Sequence, residues 1–186
     1  MHNIKNKMRS VWPVSESTFA LLETYLVPVS FPKRHKLIES NKRCREAFFI
    51  NTGITRSYWI VDGKEITTSF SEEGGIVFSM DELYYNQTSE ENVETLEPVE
   101  AYSISVKILQ DLFAENLELA NWGRIIHQNE YRRLHRSHKE RLTLPAKERY
   151  ESFTNQFPEV CKRAPLKFIA SYLGITPFTL SRLRKL

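Results

Sequence analysis

The apolar positions change period twice along the chain, and the changes divide it into three stretches. In "SESTFALLETYLVPVSF", Phe19, Leu22 and Leu26 recur at helical spacing, with Ser15 as N-cap and Pro28 and Pro32 closing the helix. From Ala47 the period falls to two. "AFFINTG" and "ITRSYWIV" are rich in aromatic and β-branched residues, and Asp62-Gly63 separates the second from "KEITTSFS". An Asp-Gly pair between two such runs predicts a tight hairpin. "GGIVFS", "NVETLE" and "EAYSIS" add short strands, and this spacing predicts a small all-β barrel or sandwich. After Ser105 the helical period returns.

"VKILQDLFAEN" and "LELANWGRIIHQNEYRRLHRSHKERL" contain no proline and only one glycine, Gly123. In the second, Leu119, Trp122 and Ile126 fall at three- and four-residue spacing, and Asn129 and Arg133 continue the line. A narrow apolar stripe on so long a helix predicts pairing with a second copy, which makes Leu119, Trp122 and Ile126 the expected dimer interface. The alternative is a helix lying on its own barrel. Pro145 starts a further helix, "PAKERYESFTNQF", and Pro158 ends it.

The last stretch, "APLKFIASYLGITPFTLSRLRKL", fits a helix-turn-helix. The close crossing of two helices needs a small residue, here Ala170. The turn needs a residue tolerant of unusual backbone angles, here Gly174. Ile169, Leu173, Ile175, Leu180 and Leu183 take the inward spacings, Thr176 can N-cap the second helix, and Pro177 suits its first turn. Thr176, Phe178, Thr179, Ser181, Arg182, Arg184 and Lys185 are left as candidate DNA-contacting residues.

Charge sharpens that expectation. Residues 1–100 carry 11 Lys/Arg and 15 Asp/Glu, and residues 101–186 carry 15 and 8, within a net charge of +3. A basic C-terminal half points to a polyanion such as double-stranded DNA. Hydrophobic residues at 41% and charged residues at 26% fit a folded cytoplasmic protein. No apolar run has the length of a signal peptide or a membrane span, so no membrane partner is expected. Cys44 and Cys161 are too few for a disulfide framework, a four-cysteine metal site or an iron–sulfur cluster.

An N-terminal helix, a β-rich segment with a glycine-containing hairpin, a long helix and "IASYLGITPFTLSRLRKL" together resemble the Crp/Fnr family of bacterial transcription regulators. The resemblance implies an α+β fold: an antiparallel, jelly-roll-like β-roll, a long dimerisation helix and a C-terminal helix-turn-helix. It implies a cyclic-nucleotide-binding-like sensor over residues 1–115, a dimerisation helix over 116–142 and a DNA-binding domain over 143–186. Partners are then double-stranded DNA and a second copy of the chain. The matching recognition positions are Pro177, Phe178 and Arg182; many members hold Arg and Glu at the first two. The family's winged domain usually continues past the recognition helix, so a truncated winged helix is expected.

Family members that bind cyclic nucleotides hold the phosphate with an arginine and the ribose with a glutamate. Asp81 or Glu82 matches the ribose carboxylate and is the candidate ligand pocket. The arginine belongs near Ser89–Asn92, where the sequence reads Ser-Glu-Glu-Asn. From Glu65 to Val106 there is no Lys, Arg or His, but there are ten carboxylates. A cyclic phosphate there lacks its charge-assisted donor, so cyclic AMP binding is not expected and the effector stays open.

Enzyme chemistry finds no support. A cupin-type metal site needs histidines inside the barrel, and none lies between Ala47 and Ile104. His135 and His138 sit among Arg132, Arg133, Arg136 and Lys139, which reads as a solvated basic face. No phosphate loop or nucleophile elbow is present. No catalytic residue, metal or cofactor is expected. The runner-up is a small-ligand-binding or protein-interaction roll whose helix-turn-helix no longer reads DNA.

Overall fold

The computed structural model describes residues 1–185; Leu186, the last residue of the expected DNA-binding domain, lies outside the described residues. Two helices open the chain, α1 (His2–Val11) and α2 (Glu16–Glu23). Ser15 caps α2 by accepting a hydrogen bond from the Thr18 amide at 3.2 Å. The helix expected to run on to Pro28 stops at Glu23, and Pro28 lies inside a strand, β1 (Val27–Phe31). That strand is at the edge of its sheet, paired on one side with β8 (Val99–Ser105), where a residue without an N–H is tolerated.

Seven more strands follow: β2 (Lys36–Ile38), β3 (Glu46–Thr52), β4 (Thr55–Val61), β5 (Lys64–Ser71), β6 (Ile76–Val77), β7 (Asn92–Thr95) and β8 (Val99–Ser105). They form two antiparallel sheets of order β1-β8-β3-β6 and β2-β7-β4-β5. Asp62 (φ 50°) and Gly63 (φ 73°) make the expected β4–β5 hairpin turn. Residues on β3 alternate between two cores. Phe48 and Ile50 point between the sheets with Leu37, Val93 and Val99. Ala47 and Phe49 point the other way, under the helices. A short helix, α3 (Met80–Tyr85), joins β6 to β7, capped by Ser79.

Two further helices leave the roll, α4 (Val106–Glu115) and the long α5 (Leu117–Thr143). The apolar stripe of α5 faces its own roll. Leu119 and Trp122 are buried beside Ile4, Met8 and Phe49, with the Trp122 ring stacked on Phe49 at 5.9 Å, and Ile126 packs half-buried against the same cluster. Leu119 and Trp122, expected at a dimer interface, are thus covered by their own chain, while Ile126 stays half-buried. A run of large apolar residues at three- and four-residue spacing marks a face that must be covered, and here the same chain covers it.

Four helices close the chain: α6 (Ala146–Gln156), α7 (Pro158–Arg163), α8 (Leu166–Leu173) and α9 (Pro177–Leu183). They share a core with the roll. Ile54, Phe70 and Leu96 pack with Phe153, Phe157, Val160, Ile169, Tyr172 and Leu180. Polar ties surround that core. Ser171 Oγ accepts from the Thr67 amide at 2.9 Å, and the Arg56 guanidinium lies 3.5 Å from the centre of the Phe168 ring. Arg163 pairs with Glu73 at 2.7 Å and with Glu97.

Candidate functional site

The turn between α8 and α9 has the geometry the sequence predicts. Gly174 adopts φ 65° and ψ 37°, and the Ile175 amide reaches back to the Ala170 carbonyl at 3.0 Å. This closes α8 with a left-handed cap that favours glycine. Thr176 Oγ1 accepts from the Thr179 amide at 3.1 Å, and Pro177 occupies the first turn of α9. Ala170 and Leu180 are fully buried at the crossing. Thr176, Phe178, Arg182, Arg184 and Lys185 are exposed, and Thr179 and Ser181 are half-buried. Phe178 is 73% exposed, so a large ring stands free on a basic helix. Thr176 and Thr179 also bond to each other through their hydroxyls at 2.9 Å, so both help to build the turn.

The second group surrounds α3. Glu82 is buried, and its carboxylate is held by Arg43, which lies between β2 and β3. Arg43 Nη2 donates to Glu82 Oε1 at 2.7 Å and Nε donates to the other oxygen; Nη1 donates to the Asn86 carbonyl at 2.8 Å. Such a bidentate pair is strong and directional. The carboxylate expected to meet a ribose is thus already engaged by its own chain. Asp81 is half-buried, and its Oδ2 accepts from the Glu90 amide at 3.0 Å, which ties down the loop.

Where a phosphate-binding arginine was looked for, Ser89 and Asn92 are buried. Asn92 Oδ1 accepts from the Ser40 amide at 3.1 Å. Glu91 accepts from the Thr68 hydroxyl, and burial pushes its carboxyl above the usual range against the pull of that bond. The acidic span finds its cations outside itself. Arg56, buried, pairs with Glu65 at 2.6 Å and Glu94 at 2.5 Å; Arg43 takes Glu82, and Arg163 takes Glu73 and Glu97. Sequence order hid these pairs, because each joins residues brought together only by the roll.

The third group is the outer face of α5. Leu117, Arg124, Gln128, Tyr131, His135, His138 and Leu142 are all exposed. From Arg124 onward they are spaced 4, 3, 4, 3 and 4, the rhythm of a helix-pairing seam. Sequence reasoning missed this line because the bulkier stripe on the other face drew attention. Beside the seam lies an open, mostly apolar cleft of about 530 Å³ between α3, α4 and α5, lined by Tyr84, Phe113, Gly123, His127 and Tyr131 among others. His127 Nδ1 lies 2.7 Å from the Gly123 carbonyl, which only accepts, so that nitrogen carries the proton. Its Nε2, at 2.9 Å, then accepts from the Tyr84 hydroxyl.

A roll with a short helix between β6 and β7, a long helix and a docked helix-turn-helix define the architecture. It is the fold of the Crp/Fnr transcription regulators. Residues 28–116 match the cyclic nucleotide-binding domain family. Three solved structures share the fold over most of the chain, each with a TM-score of 0.71. The c-di-GMP-responsive global regulator CLP of Xanthomonas campestris is 16% identical, over 92% of this chain and 90% of that one. FixK2 of Bradyrhizobium japonicum is 17% identical, over 86% and 83%. A protein assigned to the Crp/Fnr family from Eubacterium rectale is 16% identical, over 92% and 82%. No curated protein matches the chain by sequence. Among the described residues no helix is long and apolar enough to cross a membrane, and no cluster of three metal-ligating side chains forms.

Proposed function

We propose that the protein is a homodimeric, DNA-binding transcription regulator of the Crp/Fnr type, and not an enzyme. One observation carries the reading: α9 buries Leu180 while leaving Phe178 and Arg182 exposed on its outer face, with Arg184 and Lys185 exposed just past its end. A recognition helix needs that division to enter a major groove. In the division of labour we propose, residues 1–115 sense, 116–142 pair and 143–186 read DNA. Two copies pair through the outer face of α5, with the 530 Å³ cleft receiving side chains of the second copy. A two-fold pair then presents two recognition helices to half-sites about one helical turn apart, ~34 Å.

The roll does not bind cyclic AMP or cyclic GMP in this reading. Arg43 engages the ribose carboxylate Glu82, and Glu91 stands where a phosphate needs a cation. Any effector is neutral or cationic. Micromolar binding of either cyclic nucleotide by calorimetry refutes this part.

Arg182 lies one turn beyond Phe178, within reach of a guanine edge while the phenyl ring meets a thymine methyl. Arg182→Ala should cost about 1–3 kcal/mol on a selected site and relax sequence preference. Lys185→Ala should weaken binding to all sequences alike and lower the salt slope by about one unit. Salt titrations on a selected and a scrambled duplex test both. Equal losses on the two duplexes reduce Arg182 to a phosphate contact.

The runner-up, an interaction module that no longer reads DNA, draws on the β4–β5 hairpin. There Trp59, Ile60 and Val61 stand about half-exposed in a row. If neither substitution changes DNA affinity, that reading takes over.

A further inference from the structure

We propose that the C-terminal end of α5 belongs to the DNA-contacting surface, with Arg141 meeting a backbone phosphate at the rim of the groove that α9 enters. The inference deepens the DNA-binding reading above and rests on it. It does not depend on how two copies pair.

In sequence, Arg141 belongs to the run "RRLHRSHKERL" of the long helix, outside the stretch expected to read DNA. The fold brings it to the helix-turn-helix. A Cβ built on Gly174 would lie 3.5 Å from Arg141 Nη2 and 3.8 Å from its Nε. The guanidinium therefore lies over the turn itself, two residues before Thr176, the N-cap of α9. When a helix-turn-helix docks, the first residues of its second helix enter the major groove while its first helix crosses the backbone. The turn between them then stands over the groove's edge. A guanidinium on that turn faces phosphate oxygens, which match its planar fork of donors.

The charge at this corner is also unbalanced. Arg141 is exposed, and the carboxylate next to it, Glu140, is taken by Arg136 at 2.7 Å and by the Ser152 hydroxyl at 2.9 Å. Among the described residues, no carboxylate pairs with the Arg141 guanidinium. A second cation, Arg149 of α6, lines the same recess, together with Tyr172 and Gln156. Arg149 Nη1 donates to the Leu144 carbonyl at 2.9 Å, which anchors the side chain, while its Nε is buried without a partner. Two arginines thus border a recess whose one carboxylate is already engaged, and an anion is the group the corner lacks. A duplex docked on α9 supplies one.

The long helix then has a role at each end. It packs on the roll through Trp122 and touches DNA through Arg141. The contact surface for DNA starts inside the helix assigned to pairing, before residue 143.

Salt titrations of DNA binding by the full chain test the idea, on a duplex selected from random sequence and on a scrambled one. Arg141→Gln should lower the salt slope by about one unit on both duplexes and weaken binding about five- to tenfold near ~0.1 M salt. Arg141→Lys keeps the charge and should keep most of the slope. Lys107→Gln removes one charge from an exposed position on α4 and should leave affinity within about twofold of the parent, because distant charges are screened. Circular dichroism verifies that each variant is folded. An Arg141→Gln chain with the parent's slope overturns the inference and leaves the DNA reading standing, and so does an equal fall in slope for Lys107→Gln. A parent chain that binds neither duplex overturns both.

Discussion

Two carboxylates around α3, Glu82 buried and Glu91 half-buried, meet different fates because their partners differ. Glu82 receives a bidentate guanidinium, whereas Glu91 receives the hydroxyl of Thr68. Arg43→Ala leaves Glu82 buried without its cation and should lower the denaturant midpoint. Adding Glu82→Gln should recover part of that loss, as read by a double-mutant cycle of denaturant midpoints. Glu91 works the other way. Its carboxyl is raised by burial, so the folded chain takes up a proton more readily than the unfolded chain. Stability from this group is present at low pH and falls as pH rises from the ordinary carboxylate range through the raised value. Glu91→Gln should accordingly raise the melting temperature at about pH 7 and lose that advantage near pH 4. A lower melting temperature at neutral pH means that a cation holds the ionised form in solution.

At the scale of the element, the two faces of α5 differ: one is buried on the roll, and the other is exposed and is the face proposed to pair. Trp122 is stacked on Phe49 inside the chain's own core, so Trp122→Ala should unfold the protein more easily, by about 3–5 kcal/mol. Its effect on pairing should only follow that loss. Tyr131, 72% exposed on the outer face, should behave in reverse. Tyr131→Ala should leave the melting curve of the dilute, monomeric chain within about 0.5 kcal/mol of the parent. It should weaken self-association by about 2 kcal/mol at a hot spot. Sedimentation and thermal melts on the two variants separate the faces; a Trp122→Ala chain that melts like the parent but no longer pairs reverses the assignment.

For the whole molecule, the decisive feature is the core shared by the roll and the four C-terminal helices. Phe70 of β5 meets Phe153, Phe157 and Tyr172 at ring-centre distances of 5.7–6.3 Å. Arg133 of α5 joins the same corner, donating to Tyr172 Oη and to Ser69 Oγ at 3.0 Å each. The orientation of the helix-turn-helix is therefore set by the roll. Phe70→Ala should cost about 3–5 kcal/mol. It should raise amide hydrogen exchange in β5 and α8 together, since both lean on one ring. Faster exchange confined to β5 shows that the C-terminal helices hold together without the roll.

Local chemistry was sufficient for much of this protein. The period of the apolar residues placed the helices and strands, Asp62-Gly63 made its hairpin, and Ala170, Gly174 and Thr176 made their turn, because each depends on neighbours a few residues away. Pro28 misled, since a proline that stops a helix also fits an edge strand, and only the sheet order tells which. Leu119 and Trp122 announced a buried face without saying what buries it; the folded roll supplied the answer. The acidic span looked uncompensated because its cations, Arg43, Arg56 and Arg163, lie 9 to 90 residues away along the chain and meet it only in space. Period and turn chemistry are properties of short segments, and a sequence carries them openly. Which face meets which neighbour, and which charge finds which partner, is settled by packing between distant segments, and that belongs to the tertiary structure.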